Sequence, residues 1–393
     1  AVARPLLVEG SIRTMASRNE RFDWLAAEAG TIVELGAGAP PAELAERSER
    51  ISVGRGAVLP ALHDAHVHLL ETGLTELDLD LGPARNHAEL LELVAAAADE
   101  HDGTLLRAHS FDPDFMPERD YVTADELDGA APGVPVFVRR RDGHSSVVNT
   151  AAADLLGVEG LDGVETDGGR ATGVLRREAN TAAARRAMDL LTPEERLRCF
   201  RLAARRAARR GVGVVHALAG SRESHNRDVE LLLDAIPGLP IDIVVFAQTM
   251  DVDRVAALGL PRIGGCLLID GSFGSRTAAL TEPYADGEGR GTLYYSDDEL
   301  LGFFRRAHAR GLQIAVHAIG DRAIGQALSC FEAACGTEAG AARHRVEHFE
   351  LAGPDHVATM ARLGMGACVQ PTFELYWGGP DGMIERRLGP ERA

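Results

Sequence analysis

Apolar residues follow two rhythms along this chain. Up to about residue 58, short apolar stretches such as Pro5-Leu6-Leu7-Val8, Thr31-Ile32-Val33-Glu34-Leu35 and Ile51-Ser52-Val53 are separated by glycine and polar residues, which predicts a small β segment. From Leu59 onward, compact apolar runs alternate with Ala/Arg/Glu-rich stretches of helical length, the pattern of βα units feeding a parallel sheet. Strands are expected at residues 105–109, 134–138, 212–216, 241–246, 266–270, 314–317, 345–348 and 367–370. Pro193-Glu194-Glu195 predicts a helix start, with proline early and acids at the positive end of the dipole; the helix runs through Arg209 to a stop at Gly211.

Strands alternating with helices build either a closed barrel or an open doubly wound sheet. Polar residues that can carry chemistry stand at the ends of several different strands, which favours a (β/α)8 TIM-type barrel, where the site is assembled at the C-terminal rim. The expected organisation is therefore α/β, with a small β segment over residues 1–58 and a barrel over residues 59–393. Between about residues 81 and 180 the βα rhythm is broken by many Gly, Pro and Asp, and an insertion or lid is expected there.

The candidate chemistry begins at His66 and His68, which flank Val67 just after an apolar run. Residues i and i+2 of an extended segment point to the same side, so two imidazoles at this spacing can grip one ion from the end of a strand. His317 follows Leu312-Gln313-Ile314-Ala315-Val316, and His348 ends Arg345-Val346-Glu347-His348. For any one of the 14 histidines a satisfied core or loop position is the plainer reading, but four at strand ends point to a zinc-like ion, for which neutral imidazole is a common ligand. Strand alternation would send Glu347 away from His348, into a salt bridge.

Composition narrows the classes. A hydrophobic fraction of 45% with 25% charged residues is that of an ordinary globular protein, and no apolar run approaches the ~18 residues of a membrane span. A net charge of −18 argues against nucleic acid and acidic membrane surfaces as partners and leaves a small-molecule substrate. A homo-oligomer is compatible with this. The 5 cysteines are odd in number and scattered, which fits reduced thiols and a cytoplasmic location. All 41 Lys+Arg residues are arginine. That excludes Schiff-base chemistry and a carbamylated lysine bridging two metals.

Several segments in order carry a resemblance: HDAHVHL at 63–69, DGHSSVVNT at 142–150, GGRATGVLRREA at 168–179, DGSFGSRTAALTEPY at 270–284, HAIGDRAI at 317–324, RVEHFE at 345–350 and VQPTF at 369–373. Together they resemble the amidohydrolase superfamily, in particular the amidohydrolase family 3 branch with enzymes like N-substituted formamide deformylase. The resemblance implies a (β/α)8 barrel with a small β-sandwich, one or two divalent ions at the barrel mouth, most simply zinc, and hydrolysis of a C–N bond. It implies His66, His68, His317 and His348 as ligands. It also places His144 near the substrate carbonyl, and suggests catalytic, substrate or neighbouring roles for Asp270, Asp142 and Arg276.

Two departures from that pattern matter. Where relatives often carry the bridging lysine, four residues before the Asp of Asp-Gly-Ser, this chain has Cys266, which is either a thiolate ligand or a small core residue. The last-strand aspartate of the pattern would follow the segment matched by residues 388–393, so the chain is expected to be a fragment without its final barrel strand, a loss that bears on its activity. Two alternatives to amide hydrolysis stand at this point. One is a metal-dependent esterase using the same water. The other is a metal-binding or regulatory relative that has lost catalysis.

Overall fold

The computed structural model describes residues 4–17, 20–101, 103–220 and 227–393. Two compact units emerge, Ala1–His63 with Gly211–Val214, and Asp64–Arg210 with Val215–Ala393.

The first unit is built on a four-stranded sheet over Leu6–Ile12, Phe22–Glu28, Thr31–Gly36 and Glu49–Val58. Leu6–Ile12 lies between Phe22–Glu28, which it meets antiparallel, and Glu49–Val58, which it meets parallel. Leu7, Trp24 and Ala26 bury one face under Leu44 of a short helix, while Ile32, Val33 and Ile51 stay exposed. The strand Phe22–Glu28 is the addition to the expected pattern. It alternates poorly, and its pairing through Leu25 to Leu35 and Trp24 to Gly36 holds it in the sheet.

The second unit contains a six-stranded sheet in the order Val164–Asp167, Arg170–Leu175, Ser146–Val148, Val136–Arg140, Leu106–Phe111, Leu79–Asp80. The last three run parallel to one another and the hairpin partners antiparallel, so the stretch around 81–180 is ordered sheet and helix. Strand alternation serves two cores. Leu106, Val136 and Val138 pack with Leu90 and Val94 of helix His87–Asp99 on one face, and Phe137 and Val148 pack with Ala179 and Ala183 of helix Arg177–Asp189 on the other. Each buried Val, Leu or Phe contributes about 1.5–3 kcal/mol relative to exposure.

The site lies on a seven-stranded sheet ordered Gly366–Cys368, Arg345–His348, Gln313–Ala318, Arg262–Ile263, Asp242–Ala247, Val212–Ala219, Leu62–Val67. It forms a nearly closed barrel of parallel strands. Helix Pro193–Arg209 has the expected bounds, with a Thr192/Glu195 capping box at its start. One expected strand is replaced: residues 266–270 are an irregular segment with a single bridge from Leu268 to His317. Gly264 and Gly265, both at positive φ (90° and 58°), end the two-residue strand before it and turn the chain across the barrel interior.

Candidate metal centre

Five side chains from four places in the sheet meet. His66 and His68 come from the end of Leu62–Val67, Cys266 from the irregular segment, His317 from Gln313–Ala318 and His348 from the last position of Arg345–His348. The donor atoms of His66, His68 and Cys266 lie within 4.8 Å of one another, as do those of Cys266, His317 and His348. Cys266 Sγ belongs to both triads, 3.7 Å from His317 Nδ1 and 3.6 Å from His348 Nε2. The same cysteine packs against Leu218, Phe246 and Ala315, so it is at once a core residue and the atom shared by two histidine pairs.

Each of three rings has one nitrogen committed elsewhere. His66 Nδ1 donates to Glu347 Oε2 at 2.8 Å, His348 Nδ1 to Gln370 Oε1 at 2.6 Å, and His317 Nε2 to the Gly271 carbonyl at 3.1 Å with Asp270 Oδ1 at 3.4 Å. The other nitrogen of each ring is then the one with a free lone pair. For His317 and His348 that is the nitrogen facing Cys266. Burial lowers His68 to about 4, and burial with His317 and His66 nearby takes His348 well below its usual range, so both are neutral at pH 7. This donor set fits a soft-to-borderline divalent cation.

A second histidine group shows the opposite arrangement. His344 Nδ1 accepts from the Ile314 N–H, which puts its proton on Nε2, and that proton goes to His308 Nδ1 at 3.1 Å. With Cys335 these make a cluster whose imidazole lone pairs are already used.

Glu347 corrects the sequence expectation in part. It forms the salt bridge, with Arg345 Nε at 2.5 Å, but it faces the centre and does not turn away from it. Parallel pairing sets His317, Glu347 and Cys368 side by side, and neighbours in register share a face. His348 should therefore point the other way. It does not, because the chain leaves β geometry there, with φ at 71° for His348 and 54° for Phe349. Such backbone costs about 1–3 kcal/mol per residue. The bond from Phe349 N–H to the Ala318 carbonyl and the His348–Gln370 contact hold it. Arg345, which steadies Glu347, also donates to His216 Nδ1 and the Ala65 carbonyl and lies 4.3 Å from the centre of the Phe246 ring. Glu347, Gln370 and Arg345 are the site residues that strand-end reasoning missed; an imidazole ligand's need for a second acceptor is the signal that finds them.

His144 lies beside the cluster, its ring 5.6 Å from that of His317. Burial lowers it to about 4, so the ring is neutral, and among the described residues it has no hydrogen-bond partner. Asp142 fixes it there: Asp142 accepts from the His144 backbone N–H, from Ser272 Oγ and from Arg140 Nη1. Asp270 is fully buried and accepts three backbone N–H bonds, from Ala279, Ile319 and Gly320. Arg276 is not brought to the cluster. Its Nε and Nη2 are engaged by Asp286 on the surface, at 3.1 and 2.9 Å. Glu350 was not anticipated. Its Oε1 is buried without a partner, and burial, then Asp270 and Asp142, raise it to about 8.

The amidohydrolase family model matches residues 55–393. The chain belongs to the amidohydrolase family. It is 28% identical over 421 residues to the protein LONG AFTER FAR-RED 3 of Arabidopsis thaliana, covering 100% of this chain and 71% of that one. It is 26% identical over 416 residues to the N-substituted formamide deformylase of Arthrobacter pascens, covering 95% and 74%. An uncharacterized metal-dependent hydrolase from Pyrococcus furiosus superposes with a TM-score of 0.74 at 28% identity, covering 99% of this chain and 81% of the other. The chain is thus a metal-dependent hydrolase, and its His/Cys groups suit a divalent ion. Among the described residues no helix is long and apolar enough to cross a membrane.

Proposed function

We propose that the chain hydrolyses a carbon–nitrogen bond of a small amide with zinc held by His66, His68, His317 and His348, and Cys266 shared between the two pairs. The observation that carries this reading is the commitment of one nitrogen of His66, His317 and His348 to an outer acceptor, which leaves the lone pairs for the cluster. Bound there, such an ion acidifies water and polarises the scissile carbonyl. His144, neutral and unengaged, donates a hydrogen bond to the carbonyl oxygen as charge develops on it. Asp142 holds the turn that presents His144, and Asp270 positions His317 and the loop at Gly320 without touching substrate. The water oxygen ends on the carbonyl carbon, the C–N bond breaks, and a water proton leaves with the amine.

Beside the centre, the Phe373 ring lies parallel to His348 at 5.7 Å and packs on Trp377, an apolar wall that suits a neutral amide group and excludes bulk water. In this reading the seven-stranded sheet belongs to a (β/α)8 barrel over residues 59–393, and residues 1–58 to a β-sandwich. The strand-end positions of the ligands support the barrel.

Elemental analysis of the purified protein, followed by turnover of paired amides and esters before and after chelation, tests the proposal. Stoichiometric zinc with chelator-sensitive amide turnover is expected. Ester-only turnover, or no metal, would overturn it.

A further inference from the structure

Besides His144 and Glu350, two polar side chains on the six-stranded sheet have groups without partners. Arg139, in strand Val136–Arg140, is half-buried, and among the described residues it makes no hydrogen bond or ion pair, whereas Arg140 beside it is gripped by Asp112, Asp114 and Asp142. His109, in the adjacent strand Leu106–Phe111, uses Nδ1 on Ser110 Oγ at 2.7 Å, and its Nε2 is buried without a partner.

The pairing of Ala108 with Val138 brings His109 and Arg139 to successive positions of neighbouring strands. Ala108 and Val138 point into the apolar core with helix His87–Asp99, so alternation turns Arg139 to the other face, while the irregular register between Ala108 and Phe111 takes His109 out of that rule. The other face is that of Phe137, and at the Arg139 end it meets the turn that presents His144. The Arg139 guanidinium lies against Gly143 of the turn that presents His144, where even a Cβ would stand 2.9 Å from Nη2. Its charge also reaches His68 and His144 and contributes to lowering both. Ser110, which anchors His109, is held at φ 66°, a strained backbone of the kind that clusters at ligand sites.

Five of the carboxylates around this spot are already engaged. Asp78 is held by Arg107 at 2.9 Å, Asp142 by Arg140 at 2.6 Å, Glu347 by Arg345 and Asp270 by backbone N–H groups. Asp80 takes the Gly82 N–H and the Ser110 hydroxyl, and that hydroxyl oxygen in turn accepts from His109 Nδ1–H. A half-buried guanidinium that feels Asp78 only at a distance and has no ion pair of its own is expensive, and its planar fork matches a carboxylate.

We propose that Arg139 binds the carboxylate of the substrate, so that the enzyme takes an anionic amide with its carboxylate a few atoms from the scissile C–N bond. This rests on the amide reading above, and it makes Arg139 a specificity-determining residue.

Calorimetric binding of matched probe pairs tests it: N-acetylglycine, N-acetylleucine and succinamic acid, each against its neutral carboxamide, with protein as purified and after chelation. At least one acid should bind about tenfold to hundredfold more tightly than its carboxamide. The preference should survive chelation, fall to about one in Arg139→Met and return in part in Arg139→Lys. Equal binding of acid and carboxamide in every pair, or a preference that persists in Arg139→Met, overturns the inference. Acid preference without turnover of any amide would instead sink the amide reading and leave this one standing; amide turnover without charge preference would do the reverse.

Discussion

Glu347 Oε2 lies 2.8 Å from His66 Nδ1, inside the barrel and out of water. The carboxylate fixes the proton on Nδ1 and leaves Nε2 for the ion, so its removal acts on metal affinity through the ring it orients. Glu347→Gln should weaken zinc binding about 10–100-fold, read by competition with a chromophoric chelator. Glu347→Ala should in addition destabilise the fold by about 3–5 kcal/mol, because Arg345 is left buried without its partner. Unchanged affinity in both variants would remove Glu347 from the account.

Cys266 makes a spectroscopic prediction. Cobalt-loaded protein should show an intense near-ultraviolet thiolate-to-metal charge-transfer band, and Cys266→Ser should lose it while the weaker visible bands remain. The apo thiol, pushed up by burial and then by Glu347 and Glu71, should resist alkylation, and metal should displace its proton. A band that survives the substitution would assign the sulfur elsewhere, with Cys368 next to Glu347 as the other candidate.

Asp270 predicts a stability effect. Its two oxygens take N–H groups from Ala279, Ile319 and Gly320, and only an acceptor on both sides satisfies all three. Asp270→Asn turns one oxygen into a donor that faces donors, and should cost about 2–4 kcal/mol in urea unfolding. A loss of activity with an unchanged unfolding midpoint would instead make Asp270 a group that meets substrate.

Stability should also fall with acid through His344. Burial, with His308 beside it, lowers this ring from the ordinary 6.5 to about 4. As pH falls the unfolded chain takes the proton first, so the stability of the neutral ring is full above about pH 6.5 and is lost as pH falls toward 4. The loss is on the order of 2 kcal/mol. His344→Asn, which keeps an acceptor for the Ile314 N–H, should flatten the dependence of the urea midpoint on pH over that window.

What the sequence disclosed depended on how regular the backbone was. His66, His68, His317 and His348 were legible because each stands at the end of an apolar run, and most of the expected strands lie within two residues of the observed ones. Alternation misdirected Glu347 because it assumes that β geometry continues through His348, where φ is 71°. The strand expected at 266–270 was lost to Gly264 and Gly265, whose positive φ no hydrophobic pattern records. The resemblance suggested a substrate or neighbouring role for Arg276, yet Asp286, ten residues on, captures it; a local ion pair within one loop leaves no periodic trace. Arg139 and Arg140 look equivalent in sequence, and only the pleat separates the arginine held by three carboxylates from the one left open.

The most direct test of the central claim is X-ray absorption at the metal edge of zinc-loaded protein. The account predicts a first shell of imidazole nitrogens at about 2.0–2.1 Å with a sulfur at about 2.3 Å. The sulfur scatterer should disappear in Cys266→Ser, and the imidazole contribution should shrink in His66→Ala/His68→Ala. A shell of oxygen atoms alone, or one unchanged by both variants, would contradict it.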